Sequence, residues 1–309
     1  MRYIVYSAQY HVDMGEHVFP VRKYRLCYEA LRREGAIEPG EVLEPIAATE
    51  PQLLLVHTPE YLTELETLAA TGWSYLTPDT PITAEILEKS ILAAGGTIAA
   101  ARLALETQIA VHLSGGFHHA FPDHGEGFCY INDVAVAVRV LQDEGAIERA
   151  AVIDCDVHQG NGTAAIFAAS PEVFTFSIHQ ENNYPFPKPP SDLDIGLPDG
   201  ADDAAYLGEL ERHVPTVLER SRPDLVVYLA GADPYADDLL GGLGLSMEGL
   251  KQRDALVMEA CAARGTPVVV LLAGGYAART EDTIRIHCNT VKAARGLLPR
   301  APTATPNCP

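Results

Sequence analysis

Short apolar runs alternate with longer segments of helical periodicity along most of this chain. Six runs are predicted to be strands: Tyr3–Ser7, Ile109–Leu113, Ala150–Asp154, Val173–Ile178, Leu225–Ala230 and Val268–Ala273. Four segments are predicted to be helices: Ala84–Glu106, Asn132–Glu144, Asp202–Ser221 and Ser246–Arg264. This alternation predicts an α/β fold with a central, mostly parallel β-sheet and helices on both faces. The Pro- and Asp-rich segment Asn182–Asp199 is expected to be a long loop.

The length and composition fit one large domain. Of the 309 residues, 47% are hydrophobic, which is enough for a sizeable core. We assign residues 1–300 to a single domain and residues 301–309 to a flexible tail. The apolar runs are too short to span a bilayer, and the start of the chain lacks the features of a signal peptide. A cytoplasmic protein without a membrane span is therefore expected.

The net charge limits which partners are expected, and the cysteine pattern limits which kinds of disulfide or metal site are expected. The formal net charge of −20 argues against binding of nucleic acid through phosphate contacts. It would favour a cationic partner, such as a lysine-rich peptide or a polyamine, although solubility alone is the better explanation and the charge carries little weight. The six cysteines include no Cys-x-x-Cys pair, so neither a disulfide framework nor a cysteine-based zinc site is predicted.

Polar and glycine-rich motifs lie at the carboxyl ends of five of the predicted strands. They are Ser114–His119, Asp154–Gly162, Ser177–His179, Gly231–Pro234 and Gly274–Tyr276. Open α/β sheets bind their ligands at the carboxyl ends of the strands. We therefore expect these motifs to converge on one site.

The second of these motifs indicates a metal site. If the strand continues, Asp154, Asp156 and His158 project to the same side, because side chains on a strand alternate between faces. A buried carboxylate needs a partner or a cation, whereas the alternative, a surface loop, would leave all three solvated. Asp233, after a neighbouring strand, is the best third ligand. Zinc is preferred, and Fe(II), Co(II) or Mn(II) would also suit this donor set.

The other motifs supply candidate acid–base groups. His118 and His119 follow a glycine pair, so one imidazole could act as a general base and the other as an acid or electrostatic partner. Asp154 and Asn161 are available to orient them. Tyr276 could donate its hydroxyl to an oxyanion. Taken alone, tandem histidines are more often structural, and Tyr276 reads as a packed loop residue.

Taken together, the motifs resemble a known family. Gly115–His119, Gly127–Asp133, Asp154–Gly162, Gly231–Pro234 and Gly274–Tyr276 look like the ordered motifs of the zinc-dependent histone deacetylases, in the arginase/deacetylase superfamily. The resemblance extends from about Tyr3 to about Ala294. Asn161, where class I members usually have Asp, and the segment Leu239–Leu243 look most like the class IV branch.

The resemblance implies a role for each position. Asp156, His158 and Asp233 would bind zinc, while Asp154 would orient His118 and Asn161 would orient His119. Tyr276 would polarise the acyl carbonyl. The channel that takes the acyl-lysine stem would be lined by Gly127, Phe128 and Tyr184. Because Asn161 is an amide, His119 should be less basic than it would be beside a carboxylate.

The resemblance also implies two monovalent cation sites. The first, for potassium, would involve Asp154, Asp156, His158, Ser177 and Ile178. The second would use backbone carbonyls around Phe167, Ser170 and Val173. One catalytic Zn²⁺ and one or two structural K⁺ ions are thus the expected cofactors.

The expected function is hydrolysis of an Nε-acyl-lysine amide, with acetyl or a longer acyl group, in a protein or peptide. Metal-activated water would attack, the tandem histidines would act as acid and base, and Tyr276 would stabilise the oxyanion. Three alternatives stay open: a deacetylase of small amines such as acetylpolyamines, a two-metal ureohydrolase of the same architecture, and a non-catalytic metal-dependent binding protein.

Overall fold

The computed structural model describes residues 2–15 and 17–298, so the predicted tail at 301–309 lies outside the described residues. The strands are β1 (Ile4–Val5), β2 (Val42–Leu43), β3 (Ser74–Thr77), β4 (Thr80–Ile82), β5 (Ile109–His112), β6 (Ala150–Asp154), β7 (Val173–Gln180), β8 (Leu193–Leu197), β9 (Leu225–Leu229) and β10 (Val268–Leu271). The α-helices are α1 (Arg22–Arg33), α2 (Glu50–Leu53), α3 (Pro59–Ala70), α4 (Ala84–Thr107), α5 (Asp133–Asp143), α6 (Asn161–Phe167), α7 (Asp203–Ser221), α8 (Met247–Ala263) and α9 (Thr280–Gly296).

Eight strands form one central sheet in the order β2-β1-β5-β10-β9-β6-β7-β8. Each neighbouring pair in this sheet is parallel. The remaining strands, β3 and β4, form a separate antiparallel hairpin. The last strand in sequence, β10, lies near the middle of the sheet, between β5 and β9.

Helices cover both faces of the sheet. In one layer α3, α4, α5 and α6 pack side by side, and in the other α1, α9, α8 and α7 do so. Strands β5, β6, β9 and β10 are buried along their whole length, as expected of parallel strands covered on both faces. This arrangement confirms the predicted α/β fold with a central parallel sheet.

The prediction of a long loop at Asn182–Asp199 was wrong for residues 193–197, which form the edge strand β8. Asp194 and Gly196 in this strand are exposed, so its apolar signal is weak. Its pairing with β7 supplies the missing stabilisation. The first predicted strand is also shorter than expected, because only Ile4 and Val5 pair with neighbours as β1.

The carboxyl ends of β5, β6, β7, β9 and β10 meet at one edge of the sheet. The strand ends and the segments that follow them carry the polar motifs, so the fold brings these motifs together. Within the described residues, each helix is too short or too polar to cross a bilayer.

Candidate active site

The loop after β5 holds the two histidines in place. Gly115 and Gly116 have φ of 76° and 85°, a left-handed conformation that glycine adopts readily. The Asp133 carboxylate, at the start of α5, accepts hydrogen bonds from the backbone N–H groups of Gly116 (3.0 Å) and Phe117 (2.7 Å). The loop is therefore tied to α5 just before His118 and His119.

Three potential metal ligands converge beside these histidines. Asp156 and His158 follow β6, and Asp233 follows β9. Their ligand atoms all lie within 4.8 Å of one another, and the three side chains are buried. Asp233 Oδ1 accepts a hydrogen bond from Val157 N–H at 2.9 Å, but its Oδ2 has no hydrogen-bond partner among the described residues. A buried carboxylate oxygen without a partner is costly and points to a cation.

Glycine is required where β10 approaches this cluster. A Cβ at Gly274 would lie 1.9 Å from Asp233 Oδ2 and 2.6 Å from Asp156 Oδ2. The Gly274 N–H donates to Asp156 Oδ2 at 2.8 Å. The backbone of this segment therefore forms one wall of the cluster and orients one of its carboxylates.

His118 pairs with a carboxylate. Its Nδ1 lies 2.6 Å from Asp154 Oδ2, and both side chains are buried. Burial alone would lower the pKa of His118, but the carboxylates of Asp154 and Asp156 outweigh it and raise the pKa to about 9. At neutral pH this imidazole carries a proton.

His119 pairs with an amide instead. Its Nδ1 lies 2.6 Å from Asn161 Oδ1. Burial and the neighbouring His118 and His158 lower its pKa well below 6.5, and the hydrogen bond to Asn161 opposes them only in part. This imidazole is neutral. The two-metal alternative would need aspartate ligands where His119 and Asn161 pair.

Tyr276 completes the inner chamber. Its backbone N–H donates to Asp238 Oδ2 at 2.6 Å, which fixes the turn after Gly274–Gly275. Burial, together with the carboxylates of Asp233 and Asp156, raises the pKa of Tyr276 well above 10. The hydroxyl therefore stays protonated and is able to donate a hydrogen bond.

A cleft of about 460 Å³ leads to this chamber, a size typical of small-ligand sites. It is lined by Thr77, Asp79, His119, Glu126, Gly127, Phe128, His158, Asn183, Tyr184, Leu240 and Tyr276. The three positions expected in the channel, Gly127, Phe128 and Tyr184, are among them. The ring centroid of Tyr184 is 4.9 Å from that of His119.

Of the residues expected at the first monovalent site, Asp154 on β6 and Ser177 on β7 are register partners on neighbouring strands. Ser177 Oγ also lies 2.9 Å from His179 Nδ1, and Ile178 is fully buried. At the second site, the carbonyls of Phe167 and Ser170 accept hydrogen bonds from the N–H groups of Ser170 and Val173. Both cation sites stay predictions.

Several residues near the site carried no clear signal in the sequence. The Lys23 ammonium is fully buried and donates to the Ala273 carbonyl at 2.7 Å, although Lys23 lies in the charged helix α1. Asp238 holds the Tyr276 turn. Glu126 accepts a hydrogen bond from Asn161 Nδ2 at 2.5 Å. Its position just before the Gly127–Asp133 motif was the one available clue.

Residues 17–291 match the histone deacetylase domain family. The chain belongs to the histone deacetylase family. The matched range includes every residue of the chamber and the cleft described above. As a histone deacetylase homologue, the protein is a hydrolase of the deacetylase type.

Individual relatives agree with this assignment. An uncharacterised protein of Picosynechococcus sp. is 42% identical over 293 residues, which cover 94% of this chain and 98% of that protein. A probable deacetylase of Archaeoglobus fulgidus is 32% identical over 295 residues, covering 88% of this chain and 80% of the relative. The crystal structure of an HDAC homologue complexed with SAHA superposes with a TM-score of 0.82 at 26% identity, over 96% of this chain and 84% of that one.

Proposed function

We propose that this histone deacetylase homologue is a zinc-dependent amidohydrolase that removes acetyl or longer acyl groups from the Nε atom of lysine in proteins or peptides. One observation carries the proposal. The buried Asp156, His158 and Asp233 cluster faces His118, His119 and Tyr276 at the bottom of a narrow cleft.

Zinc fits the donor set. Two carboxylates and one imidazole are ligands that zinc uses in catalytic sites with an open position. Within the described residues, Asp233 Oδ2 has no hydrogen-bond partner and lies close to the buried Asp156 carboxylate, so a divalent cation would offset the negative charge of this pair. When bound, zinc would act as a Lewis acid and lower the pKa of a water ligand.

The two histidines would divide the proton transfers. Neutral His119, which donates from Nδ1 to Asn161, keeps a lone pair on Nε2 for accepting a proton from the attacking water. After the proton moves, His119 can pass it to the leaving amine. His118, protonated and paired with Asp154, supplies a fixed positive charge beside the developing negative charge.

Tyr276 would stabilise the transition state through its hydroxyl. The raised pKa keeps this group a donor throughout the neutral range. Because the donor is held by the turn after β10, little reorganisation is needed as the oxyanion forms. In the cleft, the rings of Phe128 and Tyr184 would pack against the methylene stem of lysine.

Three finer assignments complete the proposal. Asn161 and the Leu239–Leu243 segment support a place in the class IV branch. Potassium would bind near Asp154 and Ser177, with a second monovalent ion near Phe167, Ser170 and Val173. A cytoplasmic location stays a prediction.

A matched panel of lysine peptides carrying acetyl, butyryl, octanoyl and myristoyl groups tests the function, with zinc-loaded protein and a metal-stripped control. We expect cleavage that requires the metal, and the rank order gives the acyl preference. If the protein bound zinc but cleaved none of the peptides, the proposal would be contradicted.

A small polycationic amine is a second candidate substrate, because the mouth of the cleft carries the carboxylates of Asp79 and Glu126. Acetylspermidine belongs in the same panel for this reason. If the protein hydrolysed acetylspermidine but none of the acyl-lysine peptides, a small polycationic amine would be the favoured substrate. Zinc binding without turnover of any substrate would favour a binding protein.

A further inference from the structure

We propose that Glu126 is a positioning residue that sets the orientation of the Asn161 amide and thereby the tautomer of His119. This inference rests on the proposed hydrolytic function for its catalytic consequence, but its structural content can be measured separately. It extends the site by one residue beyond the metal ligands, the histidines and Tyr276.

Three side chains form a continuous hydrogen-bonded row. Asn161 Nδ2 donates to Glu126 Oε2 at 2.5 Å, and Asn161 Oδ1 lies 2.6 Å from His119 Nδ1. His119 and Asn161 are 5% and 2% exposed, so water cannot readily substitute for either bond. Glu126 is half-buried and lines the mouth of the cleft, so the row runs from the mouth to the chamber.

The chemistry of each member fixes the next one. An ionised carboxylate only accepts hydrogen bonds, so Glu126 must face the NH₂ group of Asn161. The amide oxygen then points to His119, whose Nδ1 must donate. The proton is therefore on Nδ1, and the lone pair is on Nε2. Without Glu126, the amide could turn over and present NH₂ to His119, which would favour the opposite tautomer.

The backbone holds Glu126 in place for this contact. Gly127 and Phe128 both have positive φ, 53° and 67°, which makes a tight turn. Glu126 and Cys129 exchange both backbone hydrogen bonds across it, at 3.2 and 2.8 Å. A Cβ at Gly127 would lie 2.4 Å from the His119 ring, so the turn packs directly on the imidazole.

Replacement of Glu126 tests the row. Glu126→Leu should lower kcat at least about tenfold, since positioned proton transfer contributes about 10²- to 10⁴-fold. Asp123→Asn is the matched control, because it removes a carboxylate from the same loop. The Asp123 side chain is 70% exposed and, among the described residues, pairs only with His124. The control should keep the wild-type kcat. Zinc content and thermal unfolding of each variant check that the fold is retained.

A double-mutant cycle gives a sharper test. Glu126→Gln should lower kcat in the native background, because glutamine can donate as well as accept and no longer fixes the amide. Asn161→Asp places a second carboxylate against Glu126 and should also lower kcat. In the Asn161→Asp background, however, Glu126→Gln should raise kcat, because its amide can donate to the new carboxylate. The inference would be overturned if Glu126→Gln changed kcat by the same factor in both backgrounds. It would also be overturned if Glu126→Leu kept the wild-type kcat.

The tautomer can be read without turnover. In nitrogen NMR of the zinc-loaded protein, with His119→Gln used for assignment, His119 should carry its proton on Nδ1. In Glu126→Leu the Nε2-protonated form should appear. An unchanged tautomer would refute the role of Glu126 even if the wild type cleaved none of the peptides, an outcome that would contradict only the proposed function.

Discussion

His118 and His119 are adjacent in sequence, yet their pKa values move in opposite directions. Both imidazoles are buried, and burial by itself lowers the pKa of each. Asp154 reverses the effect for His118, whereas the neutral amide of Asn161 cannot do so for His119. A carboxylate at the end of β6 and an amide at the start of α6 therefore keep one imidazole cationic and leave the other neutral and able to accept a proton.

Tyr276→Phe tests the oxyanion role at the level of a single oxygen atom. The ring would still fill its place in the chamber, so zinc binding and stability should change little. Turnover should fall about 10²- to 10³-fold, the usual effect of removing one such donor. Steady-state kinetics measures the turnover, and metal analysis of the same preparation measures the zinc content. Near-normal kcat would mean that another group stabilises the charge.

The individual residues of the site were predictable to different degrees. Asp156, His158 and Asp233 could be proposed as ligands, because strand ends and residue chemistry indicated them. Glu126 could not, since its contact with Asn161 depends on the turn at Gly127–Phe128 and not on any strand. Lys23 was missed for a different reason: a charged helical segment normally indicates solvent exposure, and tertiary packing buried this ammonium instead.

Among the elements, those with a strong apolar signal were predicted correctly. Strands β5, β6, β9 and β10 are fully buried, so nearly every residue in them is apolar. Strand β8 was not predicted because it is at the edge of the sheet, where only its last residue, Leu197, is buried. Asp192 fixes its start by accepting hydrogen bonds from Thr175 N–H and Oγ1 on β7, a long-range contact that local sequence does not reveal.

Helix α5 connects the β5 loop to the rest of the protein through Asp133. Its carboxylate accepts from Thr97 Oγ1 at 2.5 Å as well as from the two backbone N–H groups of the loop. Asp133→Asn would replace one acceptor oxygen by a donor and leave a buried N–H or hydroxyl unpaired. We expect a loss of about 2–3 kcal/mol in unfolding free energy.

Chemical denaturation measures the unfolding free energy of Asp133→Asn. This variant should also lose turnover, because the backbone that Asp133 holds leads directly into His118 and His119. Asp143→Asn, at the opposite end of α5, is the control. If the unfolding free energy of Asp133→Asn were within about 0.5 kcal/mol of the wild-type value, the loop would not depend on the Asp133 carboxylate.

At the scale of the whole molecule, buried histidines should make the fold sensitive to acid. Burial lowers the pKa of His57 to about 4, of His112 to about 3 and of His179 to about 4. The unfolded chain binds protons at these groups below about pH 6.5 while the folded chain does not. The stability that these three neutral histidines contribute is therefore fully present above about pH 6.5 and decreases as the pH falls towards 4.

His57→Gln isolates one contribution to this acid sensitivity. His57 Nδ1 donates to the Phe121 carbonyl at 3.0 Å, and its Nε2 accepts from Asn132 N–H at 3.1 Å, so protonation would break the second bond. Glutamine can supply a donor and an acceptor without titrating. Between pH 7 and 4.5, the unfolding free energy of the His57→Gln variant should fall less than that of the wild type. The difference between the two decreases should be up to about 3 kcal/mol. Equal slopes for the two proteins, at fixed zinc concentration, would contradict this.

The position of β10 has a consequence for synthesis of the protein. In the strand order of the sheet, β10 separates β2-β1-β5 from β9-β6-β7-β8, so before Val268 has been synthesised these two groups of strands lack the strand that joins them, and the edges of β5 and β9 stay unpaired. Such edges are prone to pair with other chains. The nascent polypeptide can close its sheet, and bring Tyr276 to the proposed metal ligands, only after β10 has been translated.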